Sequence, residues 1–248
     1  MTEHDRHEPL HARLAWAQQH LARLREAVNL YEEIPPYAVT DETTEDGQTR
    51  VVRAEIVTPP PIEISLALGD VAHQLRAALD NAVGAMRDGG PTRRSAFVIT
   101  SDPANFEAAL GDGRLTGLPS AVLEVIRMVQ PFPDHALGEW MGLGLERLDA
   151  LAQHDRHRAV LLRAAVVETE MVEVDWAEGT PQPVLLHGRA EVQFPVTVVA
   201  HPHFKARVLV AEDDPLLRGR EVIALAQLVA QRCVAVIQQM EHAAARGV

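Results

Sequence analysis

Cysteine, aromatic residues, lysine and long apolar runs are all scarce in this sequence, and each shortage removes a class of protein. A single cysteine, Cys233, rules out an internal disulfide framework and any zinc site built from cysteine pairs. Cys233 falls in an apolar helical stretch, which points to a buried, inert thiol rather than a nucleophile. Aromatic residues make up 4% of the chain, so the core must be built from Leu, Val, Ile and Ala. Lys205 is the one lysine; every other basic side chain is an arginine. No run approaches the roughly 18 consecutive apolar residues of a membrane span. The N-terminal MTEHDRHEPLHARL has no apolar signal core. The expectation is a cytoplasmic protein without membrane contact. Walker, GxGxxG, GxSxG and HExxH patterns are also missing, so no cofactor is expected.

Acidic residues outnumber basic ones, and the formal net charge is -12 at pH 7. A negative field repels phosphate backbones, because nucleic-acid binding relies on Lys and Arg to neutralise them. Nucleic acid is therefore disfavoured as a partner, and the acidity reads as solubility. With 248 residues, 47% of them hydrophobic, the chain can bury a substantial core.

Leu10, Leu14, Ala17, Leu21, Leu24, Val28 and Tyr31 step alternately by four and three, the seam of a long helix that Pro35–Pro36 ends. The seam needs a partner: the final helix of the same chain, or a second copy in a homodimer. Residues 37–57 alternate around Asp46–Gly47 and read as a β-hairpin. A second long helix spans Ile62 to Met86. Phe97 to Thr100 is a short strand or an extended link. Short helices are expected near 103–110 and 119–129, and a long one from Ala136 to Leu162, with Gly138, Gly142 and Gly144 weakening its first turns. Strands follow at Ala165–Trp176, Val184–Phe194, Val196–Ala200 and Ala206–Ala211. Turns fall at Gly179–Pro181 and His201–Pro202–His203. A helix from Leu216 to Ala244 closes the chain. The fold class is α+β: a single domain, 1–248, with about four long helices and an antiparallel sheet. Its helix-rich part is 1–162, and the strands and closing helix occupy 163–248.

Two polar helical segments carry the chemistry. In GDVAHQLRAALDN (69–81), Gly69, His73, Arg76 and Asp80 share a stripe beside the apolar face. Gly69 has no side chain and permits close approach by another element. In ERLDALAQHDRHR (146–158), Asp155 projects onto the inward stripe of Leu137, Met141, Leu145, Leu148, Leu151 and Ala152. An inward carboxylate needs a partner. The phases predict that Asp155 meets Arg76, His73 or both across a helix–helix contact. Arg158 lies one turn from Asp155, and His154 and His157 lie off the stripe. Asp149 and Glu146 point elsewhere and read as solvated surface. If Asp155 neutralises a buried Arg76, its removal costs roughly 3–5 kcal/mol.

The two segments resemble those of a group of bacterial and phage-associated proteins without an assigned activity. That group carries GDxxHNLRSALDH and NIDKHR where this chain has GDVAHQLRAALDN and QHDRHR (153–158). Asp155, His157 and Arg158 fit the second pattern. Gln74 replaces an Asn, and Asn81 replaces the final His. The spacing from Arg to that His is similar to the catalytic pattern of HEPN ribonucleases, in which Arg and His cleave a phosphodiester without metal. Asn81 cannot shuttle a proton as imidazole does, so His73, His154 or His157 would have to substitute.

Other histidines have plainer readings. His154 and His157 flank Asp155 and could ligate a metal with His73 or Asp80, but the plainer account is an ordinary helix end, where imidazolium and Arg158 favour the C-terminal dipole. His4, His7 and His11 read as an exposed, frayed end. His201–Pro202–His203 reads as a hairpin loop, so no metal is expected. Two functions remain. One is a non-enzymatic protein that binds a protein or small ligand, with a structural His/Arg/Asp cluster. The other is a HEPN-like, metal-independent endoribonuclease or nucleotide-processing protein of a toxin or phage-defence setting, in which Arg76 with His73, His157 or both would act on a phosphate; the candidate site residues are His73, Arg76, Asp80, Asp155, His157 and Arg158.

Overall fold

The computed structural model describes residues 3–133, 136–175, 184–187 and 190–246. The side chains of 3–5, 136–141, 157, 170–175, 184–187 and 200 also lie outside the described residues. The expected turn at Gly179–Pro181 falls outside them too.

Helix α1 (Glu3–Glu33) carries the predicted seam, with Leu10, Ala17, Leu24, Val28 and Tyr31 buried and Leu14 and Leu21 partly so. Its main neighbour is α2 (Ile62–Met86), which precedes the closing helix as its partner. The seam is thus covered within the chain. The N-terminus is not frayed at His7 and His11: α1 continues through Pro9 to Glu3, at the loss of one backbone hydrogen bond.

After the hairpin of β1 (Tyr37–Thr43) and β2 (Thr49–Ile56), prolines 59–61 set the chain extended and α2 begins. Its apolar stripe is wide enough to pack on several neighbours at once: Leu68, Val71, Ala72, Leu75, Leu79, Ala82 and Val83 are buried. Around α2 stand α1, α5 (Ala136–His157) and α6 (Val222–Arg246). The remaining helices are α3 (Pro103–Gly111), capped by Asp102, and α4 (Ser120–Met128), packed on α6.

Between α2 and α3 the stretch at 97–100 is an extended link, not a strand. Side chains stand in for a pairing partner. Phe97 N–H goes to Asp80, Phe97 C=O to Arg76, Val98 C=O to Gln130 and Thr100 N–H to Gln130. Four of the backbone groups that a strand would pair are satisfied this way, in a stretch whose first two residues are buried.

Helix α5 ends at His157, before the predicted Leu162, because Leu161 N–H is taken by the carboxylate of Glu212 and Leu162 already pairs with Val210. Gly142 and Gly144 serve as contact points instead of weakening the helix. A Cβ on Gly142 would stand 2.5 Å from Pro131 Cα, and one on Gly144 2.5 Å from Arg232 Cγ.

The strands form two three-stranded antiparallel sheets rather than one, in the orders β1-β2-β5 and β4-β3-β6. They are β3 (Leu162–Asp175), β4 (Val184–His187), β5 (Glu191–Pro195) and β6 (Val199–Val210). The predicted strand Val184–Phe194 is therefore split between sheets. His201–Pro202–His203 is not a loop: it lies inside β6, opposite Val172, Met171 and Glu170. Pro202 is tolerated because β6 is an edge strand and needs no donor on its outer side. The turn sits earlier, at 196–198. The two parts of the sequence interlock, since β5 completes the N-terminal hairpin's sheet and α6 returns to the helices. A second small core of Val52, Ala54, Val192, Phe194, Val198 and Phe204 joins the sheets.

By length and composition, α6 would suffice to cross a membrane. In the fold it is a core helix whose Val222, Leu225, Val229, Cys233, Val236, Ile237 and Met240 are buried, which is compatible with a soluble protein. It starts at Val222 rather than Leu216 because Gly219, at φ +72°, turns the chain first.

Gln130 is fully buried and holds the link through Val98, Thr100 and Ile126. Gln130→Ala should cost about 2–4 kcal/mol in urea denaturation, since it strands several buried backbone groups. A loss below about 1 kcal/mol would mean that the link is held otherwise.

Candidate functional site

The polar stripe of α2 lies where α5 crosses it. Asp155 enters against Gly69, where an added Cβ would stand 2.1 Å from Asp155 Oδ1. From there Oδ2 lies 2.8 Å from His73 Nε2. The carboxylate is mostly covered, at 15% side-chain exposure, while His73 is half exposed at 47%. The predicted use of Gly69 and the predicted Asp155–His73 contact are both present.

The predicted Asp155–Arg76 pair is not. The helices run antiparallel, so a step forward along α2 is a step back along α5. Arg76 therefore faces Asp149, with Nε 3.7 Å from Oδ1, beyond hydrogen-bond range. Its Nη2 donates to Phe97 C=O at 2.8 Å, and its Nη1 is buried without a hydrogen-bond partner. One turn on, Asp80 Oδ1 accepts from Phe97 N–H at 2.9 Å. Arg76 and Asp80 thus grip the two polar groups of one residue. Burial pushes the Asp80 carboxyl above its ordinary range; the Arg76 charge and the Phe97 N–H oppose this, and Asp149 reinforces it. Asp149 is not simply solvated surface, since it also accepts from Gln153 at 2.6 Å.

The rest of the first segment is also engaged. Asp70 lies 3.4 Å from His20, and Gln74 accepts from Arg13 at 2.9 Å, both partners on α1. The segment's side chains tie the central helix to its neighbours on both sides.

Arg158 does not turn toward Asp155. It donates to Glu212 Oε2 at 2.8 Å, and Glu212 is buried. His154 joins that second cluster, 3.4 Å from Glu212 and 3.6 Å from Asp214. His154 is therefore drawn away from His73 and Asp80, and no metal centre of those residues with Asp155 forms among the described side chains. The His157 side chain lies outside the described residues. Cys233 is fully buried, and desolvation pushes its thiol up to about 12, which makes it inert as expected.

Glu212 and Asp214 were not legible in the sequence. Their run, Glu212–Asp213–Asp214, looks like a solvated loop, and its position just after a strand was the one available signal. Beside the two clusters opens a pocket of about 360 Å³ whose charged walls are Glu146, Asp149 and Asp214, with His154, Thr100 and Ser101. Burial raises the Glu146 carboxyl; Arg147 opposes the shift and Asp214 adds to it. No protein-family model, curated protein or solved structure matches the chain.

Removing Asp155 does not strand Arg76, so Asp155→Ala should cost about 1 kcal/mol, the scale of a partly exposed pair, rather than several. Asp80→Ala should cost about 1–3 kcal/mol by leaving Phe97 N–H unpaired, whereas Asp80→Asn keeps an acceptor and should cost less. The raised Asp80 carboxyl stabilises the fold fully below its unfolded value near 3.8, and that contribution is lost as pH rises through the higher folded value. Stability curves of Asp80→Asn should lack this acid-side gain, and an unchanged pH profile would contradict it.

Proposed function

We propose that the chain is a non-enzymatic binding protein. Its His73/Arg76/Asp155 region sets helix register, and the adjoining pocket takes a cationic group, the guanidinium or ammonium of a basic peptide or polyamine. One observation carries the reading. The pocket beside the cluster is walled by Glu146, Asp149 and Asp214, and among the described residues no arginine or lysine lines it, although Arg76 stands 3.7 Å behind Asp149. Three carboxylates attract a cation and repel a phosphate. A volume of about 360 Å³ suits a side chain or small ligand.

The HEPN-like alternative has less support. Arg76 is committed to Phe97 C=O, and Asn81 stands where that pattern has its His. The half exposure of His73 is the feature that speaks for it. A cytoplasmic setting belongs to the proposal and follows from the apolar runs and N-terminal sequence, whereas a bacterial or phage-associated one rests on the segment resemblance alone. A homodimer through α1 would have to use its outer face, where Trp16 and Leu30 are exposed, since the seam is covered.

Titration calorimetry with spermidine and hexa-arginine tests the reading. Either cation should bind, and Asp149→Asn or Glu146→Gln should weaken it about fivefold, roughly 1 kcal/mol. Binding should fade as acid protonates Glu146, whose carboxyl lies above the ordinary range. Lack of binding by both cations would remove the proposed ligand class. RNA cleavage that disappears in Arg76→Ala at unchanged thermal stability would replace the reading with the nuclease.

A further inference from the structure

We propose that His7, His11 and Glu241 form a site for a divalent transition metal, zinc first, that fastens the start of α1 to the end of α6. His7 and His11 stand one helical turn apart on α1, with ring centroids 6.2 Å apart and planes 26° from parallel. That spacing aims both imidazoles to the same side of the helix. Glu241 comes from the facing helix. Its Oε1 lies 3.5 Å from His7 Nδ1 and 3.9 Å from His11 Nε2, so one carboxylate oxygen stands near both rings.

One ligand atom from each of the three residues lies within 4.8 Å of the other two. A tetrahedral zinc with bonds of 2.0–2.1 Å needs its donors about 3.3 Å apart. The His7–Glu241 separation of 3.5 Å is close to that figure and the His11–Glu241 separation of 3.9 Å is longer, so side-chain rotation, chiefly of the exposed His11, has to draw the donors together. The set is two neutral nitrogens and one anionic oxygen. Imidazole ligands suit zinc, nickel or cobalt, whereas magnesium prefers oxygen and keeps its water.

The surroundings favour an open site. His7 is partly covered, His11 is 61% exposed, and Glu241 lies between them in exposure. Three protein ligands leave a fourth position for water or a small anion. His7 and Glu241 also line a pocket of about 410 Å³ together with Arg6, Arg87 and Asp88, so the open position faces a solvent-filled space.

This site is separate from the α2–α5 region and does not depend on the function proposed above. Without metal, the same residues form an imidazole–carboxylate contact of the ordinary surface kind, worth little. With metal, they cross-link two helices far apart in sequence, and binding to the folded state adds directly to stability.

Zinc chloride is titrated into the EDTA-treated, dialysed full chain, with calorimetry and thermal unfolding as readouts. One equivalent should bind. At a hundredfold excess over Kd the midpoint should rise by about 5 °C or more and fall back with EDTA, while magnesium should do nothing. His11→Ala, at an exposed position, should leave the metal-free midpoint unchanged and weaken zinc binding at least about tenfold. Glu241→Gln should weaken it as well. If zinc fails to shift the midpoint, or shifts it equally in wild type and in both variants, the site is not there.

Discussion

The contact on which the helical half depends is the close approach of α5 to α2 at Gly69. A carboxylate occupies the space that a side chain at that position would fill. From there Asp155 reaches His73, and the antiparallel register that follows places Asp149, not Asp155, opposite Arg76. Arg76 is then free to hold Phe97 C=O while Asp80 holds Phe97 N–H, and the link at 97–100 lies down without a strand partner. One missing Cβ thus sets the register of two helices and the path of the segment between them.

This arrangement decides how the polar segments are read. A cluster of His, Arg and Asp on facing helices suggests catalysis when it is seen as a list. Here nearly every member has a structural employer: His20 for Asp70, Asp155 for His73, Arg13 for Gln74, Phe97 for Arg76 and Asp80. The pocket next to it, lined by Glu146, Asp149 and Asp214, is the one in which we propose that a cationic ligand sits. An anionic substrate would pay a Coulomb cost there that a cationic one would not.

Much of the helical part was legible because periodicity and breakers agree. The apolar stripe of α2 runs from Pro61 to the glycines after Met86, and the α1 seam stops at paired prolines. Gly69 and Asp155 could be singled out because each violates its surroundings, one by lacking a side chain and the other by turning charge inward. What could not be read was interhelical register: choosing between Arg76 and His73 as the partner of Asp155 needs the direction and offset of α5, which no local pattern holds. The strands failed for a related reason. Val184–Phe194 reads as one extended run, yet its two halves pair in different sheets, and His201–Pro202–His203 continues an edge strand despite its turn-like composition. Glu212 was missed because burial of an acid depends on Arg158 and Leu161 N–H arriving from elsewhere in the chain.

A double-mutant cycle between Gly69→Ala and Asp155→Ala, followed by urea denaturation, tests the close approach most directly. Alanine is about 1 kcal/mol better than glycine inside a helix. The account predicts that Gly69→Ala nonetheless destabilises the protein when Asp155 is present, and turns neutral or stabilising once Asp155 is alanine. An equal gain in both backgrounds would show that the carboxylate does not sit against Gly69, and the register built on it would be wrong.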